Sequence, residues 1–250
     1  MEKVSSETLK LIATLCLGMS KYVVLSDVHG NAPALQKVVD EEGLDAEYVV
    51  LGDIMGLNAY PAETMDLLNE METKVLLAGN HDKAIFHHNE GHVASDALSK
   101  FELEHTLSKL NTEQQQFMSN LPFMEVWKDG AARIAAAHAK PWVEQASGYE
   151  QGNAGVPKGN IPHFASIVAD DYDIVLLGHT HEQYDLDCSQ FGHPVLFVNP
   201  GSLGWDNTYS VLDTEMGEVT HKSVETDTDA IKEHIQGLLP KDAPHTSEWY

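Results

Sequence analysis

Seven side chains with oxygen or nitrogen donors stand at the ends of short apolar runs. Asp27 and His29 follow Tyr22 to Leu25, Asp53 follows Tyr48 to Leu51, and Asn80 follows Val75 to Leu77. His138 follows Arg133 to Ala137, and His179 and His181 follow Ile174 to Leu177. Carboxylate, imidazole and amide donors with no thiolate among them suit hard or borderline divalent ions such as manganese, iron, zinc, nickel or magnesium. They exclude a structural zinc site built on cysteine. Seven donors are too many for one ion. They suffice for two if one carboxylate bridges, and paired ions about 3.5 to 4 Å apart form the clamp that stabilises attacking and leaving oxygens in phosphoryl transfer.

The elements that must position these donors alternate between strand and helix. Tyr22 to Leu25 reads as a buried strand, and on an extended backbone Asp27 and His29, two positions apart, would share a face before Gly30 turns the chain. Ala34, Leu35, Val38 and Val39 repeat at helical spacing, with Asn31 or Ala32 as a start and Gly43 as a stop. Strands at Tyr48 to Leu51 and Val75 to Leu77 flank a helix over Pro61 to Met71. Such alternation predicts neighbouring, largely parallel strands joined by right-handed crossovers, with their carboxyl ends on one edge, where open α/β sheets hold ligands.

Further along, residues 83 to 120 read as a small helical insertion covering one side of the cleft. Its His87, His88 and His92 are expected to be solvated rather than coordinating. Phe123 to Trp127 and Arg133 to Ala137 form a hairpin about Lys128-Asp-Gly130. Residues 139 to 160 form a long loop at the substrate entrance, and Ile161 to Ala169 a helix. Alternating strands at Gln183 to Asp187, Pro194 to Val198, Tyr209 to Leu212 and Val219 to Val224 predict a second, mostly antiparallel sheet. A helix over Asp229 to Leu239 precedes an acidic tail.

The 250-residue chain is 42% hydrophobic, enough for one large core, and residues 19–250 are expected to form a single domain behind an extension at residues 1–18. Thirty-nine acidic residues against 15 basic ones give a net charge of −24, and Arg133 is the only arginine. Counterion release therefore cannot drive binding to a nucleic acid polymer. The apolar run Leu11 to Met19 is too short to cross a bilayer, which takes about 20 residues. Cys16 and Cys188 show no metal-binding spacing, so a cytoplasmic protein is expected, with no membrane partner. An oligomer is compatible with the helical stripes, and nothing in the sequence selects a face for it.

Asp27-x-His29, Gly52-Asp53, Gly79-Asn80-His81-Asp82, the strand-end His138 and Gly178-His179-x-His181, in this order, resemble the five signatures of the calcineurin-like metallophosphoesterase superfamily. Asn199-Pro-Gly-Ser-Leu-Gly204 is similar to the segment that follows the last signature in its small prokaryotic branch of YfcE-like phosphodiesterases. The resemblance extends from residue 22 to residue 204 and implies an α/β fold of two facing mixed β-sheets flanked by helices, an αββα sandwich.

It further implies that Asp27, His29 and His181 hold one ion, that Asn80, His138 and His179 hold the other, and that Asp53 bridges. Two divalent ions, manganese favoured, would then activate a bridging hydroxide against a small phosphate ester, with diesters ahead of monoesters. The resemblance gives His81 the family role of general acid or transition-state hydrogen-bond donor near the leaving oxygen, with Asp82 either orienting it or capping a helix. The chain departs from the family pattern in its basic residues. Gly52-Asp53 continues as Ile-Met-Gly56, and Gly204 is followed by Trp-Asp-Asn207, so phosphate grip falls to the metals, backbone N–H groups and Asn58, Lys83 or Lys140. The family also contains non-catalytic protein-binding scaffolds, the alternative function.

Overall fold

Strand β1, Lys21–Leu25, is buried at every residue but its first, because it lies between two strands and between two layers. Val23 and Leu25 pack with Leu35, Val38 and Met65 of the overlying helices, whereas Tyr22 and Val24 pack with Ile134, Leu176 and Val198 of the facing sheet. Strand β2, Glu47–Val50, divides the same way, with Tyr48 and Val50 toward the helices and Val49 toward the other sheet. A strand apolar on both faces can only be an interior strand of a layered structure.

The computed structural model describes residues 20–57, 59–87, 97–140 and 155–239. The expectations for the extension at 1–18, Asn58, His88, His92, the middle of the 139–160 loop and the acidic tail lie outside the described residues. Among those described, the other strands are β3 (Thr73–Leu76), β4 (Met124–Asp129), β5 (Ala132–Ala137), β6 (Ile174–Leu177), β7 (Gln183–Asp187), β8 (Leu196–Pro200), β9 (Thr208–Asp213) and β10 (Glu218–Ser223). The α-helices are α1 (Ala32–Glu42), α2 (Pro61–Glu70), α3 (Asn80–Phe86), α4 (Ala97–Lys109), α5 (Thr112–Ser119), α6 (Ile161–Val168) and α7 (Thr228–Leu238). None of them is long and apolar enough to cross a membrane.

The strands form two five-stranded mixed sheets, ordered β10-β9-β1-β2-β3 and β4-β5-β6-β8-β7. In the first, β1, β2 and β3 are parallel; in the second, β5, β6 and β8 are. Helices α1 and α2 cover the first sheet and α6 covers the second, through Ile161, Ala165 and Val168. The result is the expected four-layered α/β sandwich.

The expected second sheet needs correcting. Only β7 and β8 of its four proposed strands belong there, and its centre is parallel rather than antiparallel. Strands β9 and β10 return to the first sheet, where β9 pairs antiparallel with β1 in the register Tyr22↔Leu212. Alternating apolarity tells which face of a strand is buried and not which strand lies beside it.

Local chemistry explains the element ends. Asn31 caps α1 by accepting the Ala34 N–H at 3.2 Å, and the stripe Ala34, Leu35, Val38, Val39 is buried. The Lys128–Gly130 turn joins β4 and β5 with Gly130 at φ +57°. At the amino end of β5, Arg133 forks onto Asp173, with Nε and Nη2 each donating over 3.1 Å. Gly52, just past β2, has φ +96°, and a Cβ there would lie 2.7 Å from Gly79 N and 2.8 Å from Ala78 C.

Two stability predictions follow from these contacts. Gly52→Ala adds left-handed strain to a clash with backbone, and urea denaturation should show a loss of about 2–4 kcal/mol; a change under about 0.5 kcal/mol would mean that the β2 and β3 ends separate freely. The Arg133 hydrogen bonds hold the Asp173 carboxyl below its ordinary value of 3.8. Its stabilisation is therefore present above that pH and lost as pH falls through the lower folded-state value. Asp173→Asn should lower the melting temperature equally at pH 7 and pH 5, and the gap should close only in stronger acid.

Candidate metal centre

The parallel runs set the site. Strands β1, β2 and β3 present their carboxyl ends on one edge of the first sheet, and β5 and β6 do so on the second. The two edges meet where His138, at the end of β5, donates from Nδ1 to the Leu51 carbonyl at 2.8 Å. This bond crosses the seam between the sheets and fixes the orientation of the ring, turning Nε2 toward the cluster. The sheets are close here, since a Cβ on Gly178 would strike the Ser26 side chain.

The backbone at the strand ends is not extended. Asp27, His29, Asp53, His179 and His181 all have positive φ, between 49° and 67°. The expectation that Asp27 and His29 converge through the strand pleat is therefore corrected. They converge because two left-handed residues curl the chain, and a ladder of loop bonds holds that curl: Asp27 N–H to Gly52 O at 3.0 Å, His29 N–H to Asp53 O at 2.8 Å and Gly30 N–H to Ile54 O at 2.7 Å. Non-glycine residues in this region cost of order 1–3 kcal/mol each and concentrate at functional sites.

The Asn199–Gly204 segment stitches the same loops together. Asn199 donates to the Gly178 carbonyl at 3.0 Å; Leu203 N–H donates to Ser26 O at 3.1 Å, and Gly204 N–H and Ser202 Oγ to Asp27 O at 2.8 and 3.1 Å.

All seven predicted donors are brought together. Asp27, His29 and His181 each offer an atom to one group; Asp53, His138 and His179 offer theirs to a second; His29, Asp53 and His81 to a third, with ligand atoms in each within 4.8 Å of one another. Asp53 belongs to two of the three. Its Oδ1 accepts the His81 N–H at 2.8 Å, while Oδ2 lies 3.3 Å from His138 Nε2 and 4.0 Å from His29 Nε2. Asn80 Oδ1 lies 3.1 Å from His138 Nε2 and 2.8 Å from His179 Nδ1. Asp27 is oriented through Oδ2, which accepts from Ser26 Oγ at 2.5 Å and His179 N–H at 3.0 Å.

Among the described residues, three buried atoms of the seven donor side chains have no hydrogen-bond partner: Asp27 Oδ1 and both ring nitrogens of His29. Asp27 Oδ1 is 3.2 Å from His181 Nε2, but the pair lacks hydrogen-bond alignment. Leaving a buried polar atom unsatisfied costs about 1–3 kcal/mol. A cation among Asp27, His29 and His181 would engage Asp27 Oδ1 and the one lone-pair nitrogen of the neutral His29 ring together, so the donor set fits divalent metal.

Burial dominates the electrostatics, and the histidines answer it differently. Burial and the neighbouring His81 push the His29 imidazole down to about 3, keeping it neutral with one ring nitrogen's lone pair available. For His138 burial works the same way, but Asp53 overcomes it and raises the ring to about 9. His81 is likewise opposed by burial, and Asp53 and Glu102 lift it to about 10. Asp53 is disfavoured as an anion by burial, yet His138 and His81 hold it well below the carboxylate range.

Asp82 is placed differently from the orienting role considered for it. Its carboxylate accepts N–H groups from Ile54 at 3.1 Å, Met55 at 2.9 Å and Gly79 at 2.9 Å, capping α3 and pinning the loop after Asp53. The carboxylate that touches the His81 ring is Glu102 on α4, 3.2 Å from Nδ1. Sequence reading passed over Glu102, although its place beside Phe101 and four residues before Thr106 on a buried helix face was an available signal. Trp205 was also missed as a site residue; its ring lies 5.9 Å from that of His181. Lys83 and Lys140 sit over Phe123 and Phe164, at 5.6 and 5.4 Å from the ring centroids.

The same fold recurs in solved structures. A hypothetical protein of Pyrococcus horikoshii OT3 has a similar structure, with a TM-score of 0.72 at 23% identity over 90% of this chain and 96% of the other. A metallophosphoesterase from Sphaerobacter thermophilus aligns with a TM-score of 0.69 at 21% identity over 89% and 96% of the two chains. At this identity the likeness speaks for the fold. No curated protein matches by sequence. The profile of the calcineurin-like phosphoesterase superfamily domain matches residues 21–217, so the chain belongs to that superfamily and is a metallophosphoesterase.

Proposed function

We propose that this protein hydrolyses a small phosphate ester, a diester in preference to a monoester, at a pair of divalent ions among which manganese is favoured. The observation that carries the reading is the gathering of seven O- and N-donors from both sheets, with three buried donor atoms left without a hydrogen bond. Asp27, His29 and His181 would hold one ion, Asn80, His138 and His179 the other, with Asp53 between them. When bound, the ions would supply Lewis-acid polarisation of the phosphoryl oxygens and make a water acidic enough to ionise near neutrality.

The chain's own residues do the rest. Ser26 and the His179 N–H aim Asp27, the Leu51 carbonyl aims His138, and the His81 N–H secures one oxygen of Asp53 so that the other points inward. His81, whose side chain is 30% exposed, would give a proton to the departing oxygen. Trp205 forms an apolar wall beside His29 and His181.

Substrate charge supports the diester preference. The single arginine is committed to Asp173 at the amino end of β5, whereas His138 directly follows that strand, roughly 16 Å away at about 3.3 Å per residue. Without a guanidinium, and with a net charge of −24, a singly charged diester is easier to accept than a doubly charged monoester. The free, buried Cys188 thiol suits a reducing cytoplasm.

Three sets of measurements test this. Asp53→Asn should lose bound manganese by elemental analysis and fall to about 0.1% of wild-type turnover or less, the scale of losing the main electrostatic stabilisation. His81→Ala should keep its metal while slowing by roughly 10²–10⁴-fold on an ester whose alcohol is a poor leaving group. Wild-type rates in both variants would overturn the site. In a paired assay with manganese, bis(4-nitrophenyl) phosphate should turn over faster than 4-nitrophenyl phosphate, and the reverse ranking would refute the diester preference. Adding manganese to chelator-treated protein at about 100 times the dissociation constant should stabilise it by about 2.7 kcal/mol, several degrees in melting temperature.

A further inference from the structure

We propose that Glu102 is a positioning residue for the reaction, holding the His81 ring so that Nε2 faces the leaving oxygen. The inference rests on the phosphoesterase reading above and adds to it a carboxylate from a helix that carries none of the signature residues. Glu102 Oε2 lies 3.2 Å from His81 Nδ1, and the Glu102 side chain is only 10% exposed. A carboxylate buried to this degree needs a partner, and among the described contacts of Glu102 the His81 ring is that partner. Commitment of Nδ1–H to Glu102 leaves Nε2 as the ring nitrogen that substrate can meet.

The surrounding structure is built for this pair. Helix α4 is anchored on both sides of Glu102, by Phe101 against Ile231 and Ile235 of α7 and by Leu103 and Leu107 against the main core. His105, one turn on, lies 3.1 Å from the Ala59 carbonyl through Nε2. The loop after Asp53 makes room by having no side chain at Gly56, where a Cβ would stand 3.2 Å from His81 Nδ1 and 3.6 Å from Glu102 Oε2. With φ at +94°, glycine fits that position best in any case. Asp82, the nearest carboxylate in sequence, has its oxygens occupied by three backbone N–H groups, so the long-range partner takes the orienting task.

In the step served, a water oxygen bonds to phosphorus while the ester P–O bond breaks with its electron pair on the alcohol oxygen. That oxygen takes the Nε2 proton. The proton shed by the water goes to solvent, from which the His81 ring is recharged. An alkoxide that is a poor leaving group needs this proton, whereas 4-nitrophenolate leaves without it.

The test uses the manganese-loaded full chain and two methyl aryl phosphate diesters, with phenol and with 4-nitrophenol as leaving groups. Glu102→Gln keeps the shape and removes the charge; Glu102→Ala serves as the second variant, and melting curves confirm that each is folded. We expect kcat/KM on the phenyl ester to fall at least about tenfold, within the range of general acid catalysis. The nitrophenyl ester should change by less than about threefold, with metal content unaltered. In a His81→Ala background, Glu102→Gln should cost nothing further. A 15N-histidine spectrum gives a readout independent of turnover, because the His81 Nδ1–H signal should shift in Glu102→Gln.

Equal losses on both esters, a loss that persists without His81, or an unmoved Nδ1–H signal would overturn the positioning role and leave Glu102 an anchor for α4. If the wild type hydrolyses neither ester while the spectral shift is present, the phosphoesterase reading is what fails.

Discussion

Asp27 and Asp53 are carboxylates with 0% and 2% of their surface exposed, set at the seam between two β-sheets. Removing a carboxylate from water costs several kcal/mol after relaxation, and the surroundings must return that energy or the proton goes on. Here the return comes from the His138, His81 and His181 rings and from oriented N–H and O–H donors. The groups that keep these acids ionised also crowd ring nitrogens around them. An arrangement of this kind is unfavourable as a mere core and favourable once positive charge enters it.

The same constraint accounts for the backbone. Extended strand ends would carry Asp27 and His29 outward along the sheet edge, whereas left-handed residues fold them back over the seam. The curl persists because Asp27, His29 and Gly30 are bonded to the loop after β2, and Ser202 and Gly204 clamp the Asp27 carbonyl. Asp82 pins the intervening turn through three N–H groups. Strain at five residues is thereby borne by a framework whose apolar strands, such as Tyr22–Leu25 and Ile174–Leu177, are closed on both faces.

Much of this was legible in the residue order. Apolar runs ending in donors named all seven of the side chains that converge, since strand length and the parallel rule place such ends on one edge. Three features were not legible. The return of β9 and β10 to the first sheet depends on which edge is open, and periodicity within a strand carries no trace of that. The left-handed turns at Asp27 and His29 occupy positions that an extended reading fills equally well, with the same two side chains meeting for a different reason. Glu102 reaches His81 across 21 positions, and local reading naturally gave that task to Asp82, the adjacent acid.

The pairing of β1 with β9 has a bearing on how the molecule is made. Tyr22 finds its neighbour Leu212 only after 190 further residues have left the ribosome, so β1 waits through most of synthesis with one edge uncovered. Contacts of such long range slow folding and expose strand edges on the way. The cation pocket would thus be among the last parts to mature, and its loading would belong to the finished polypeptide, not the nascent one.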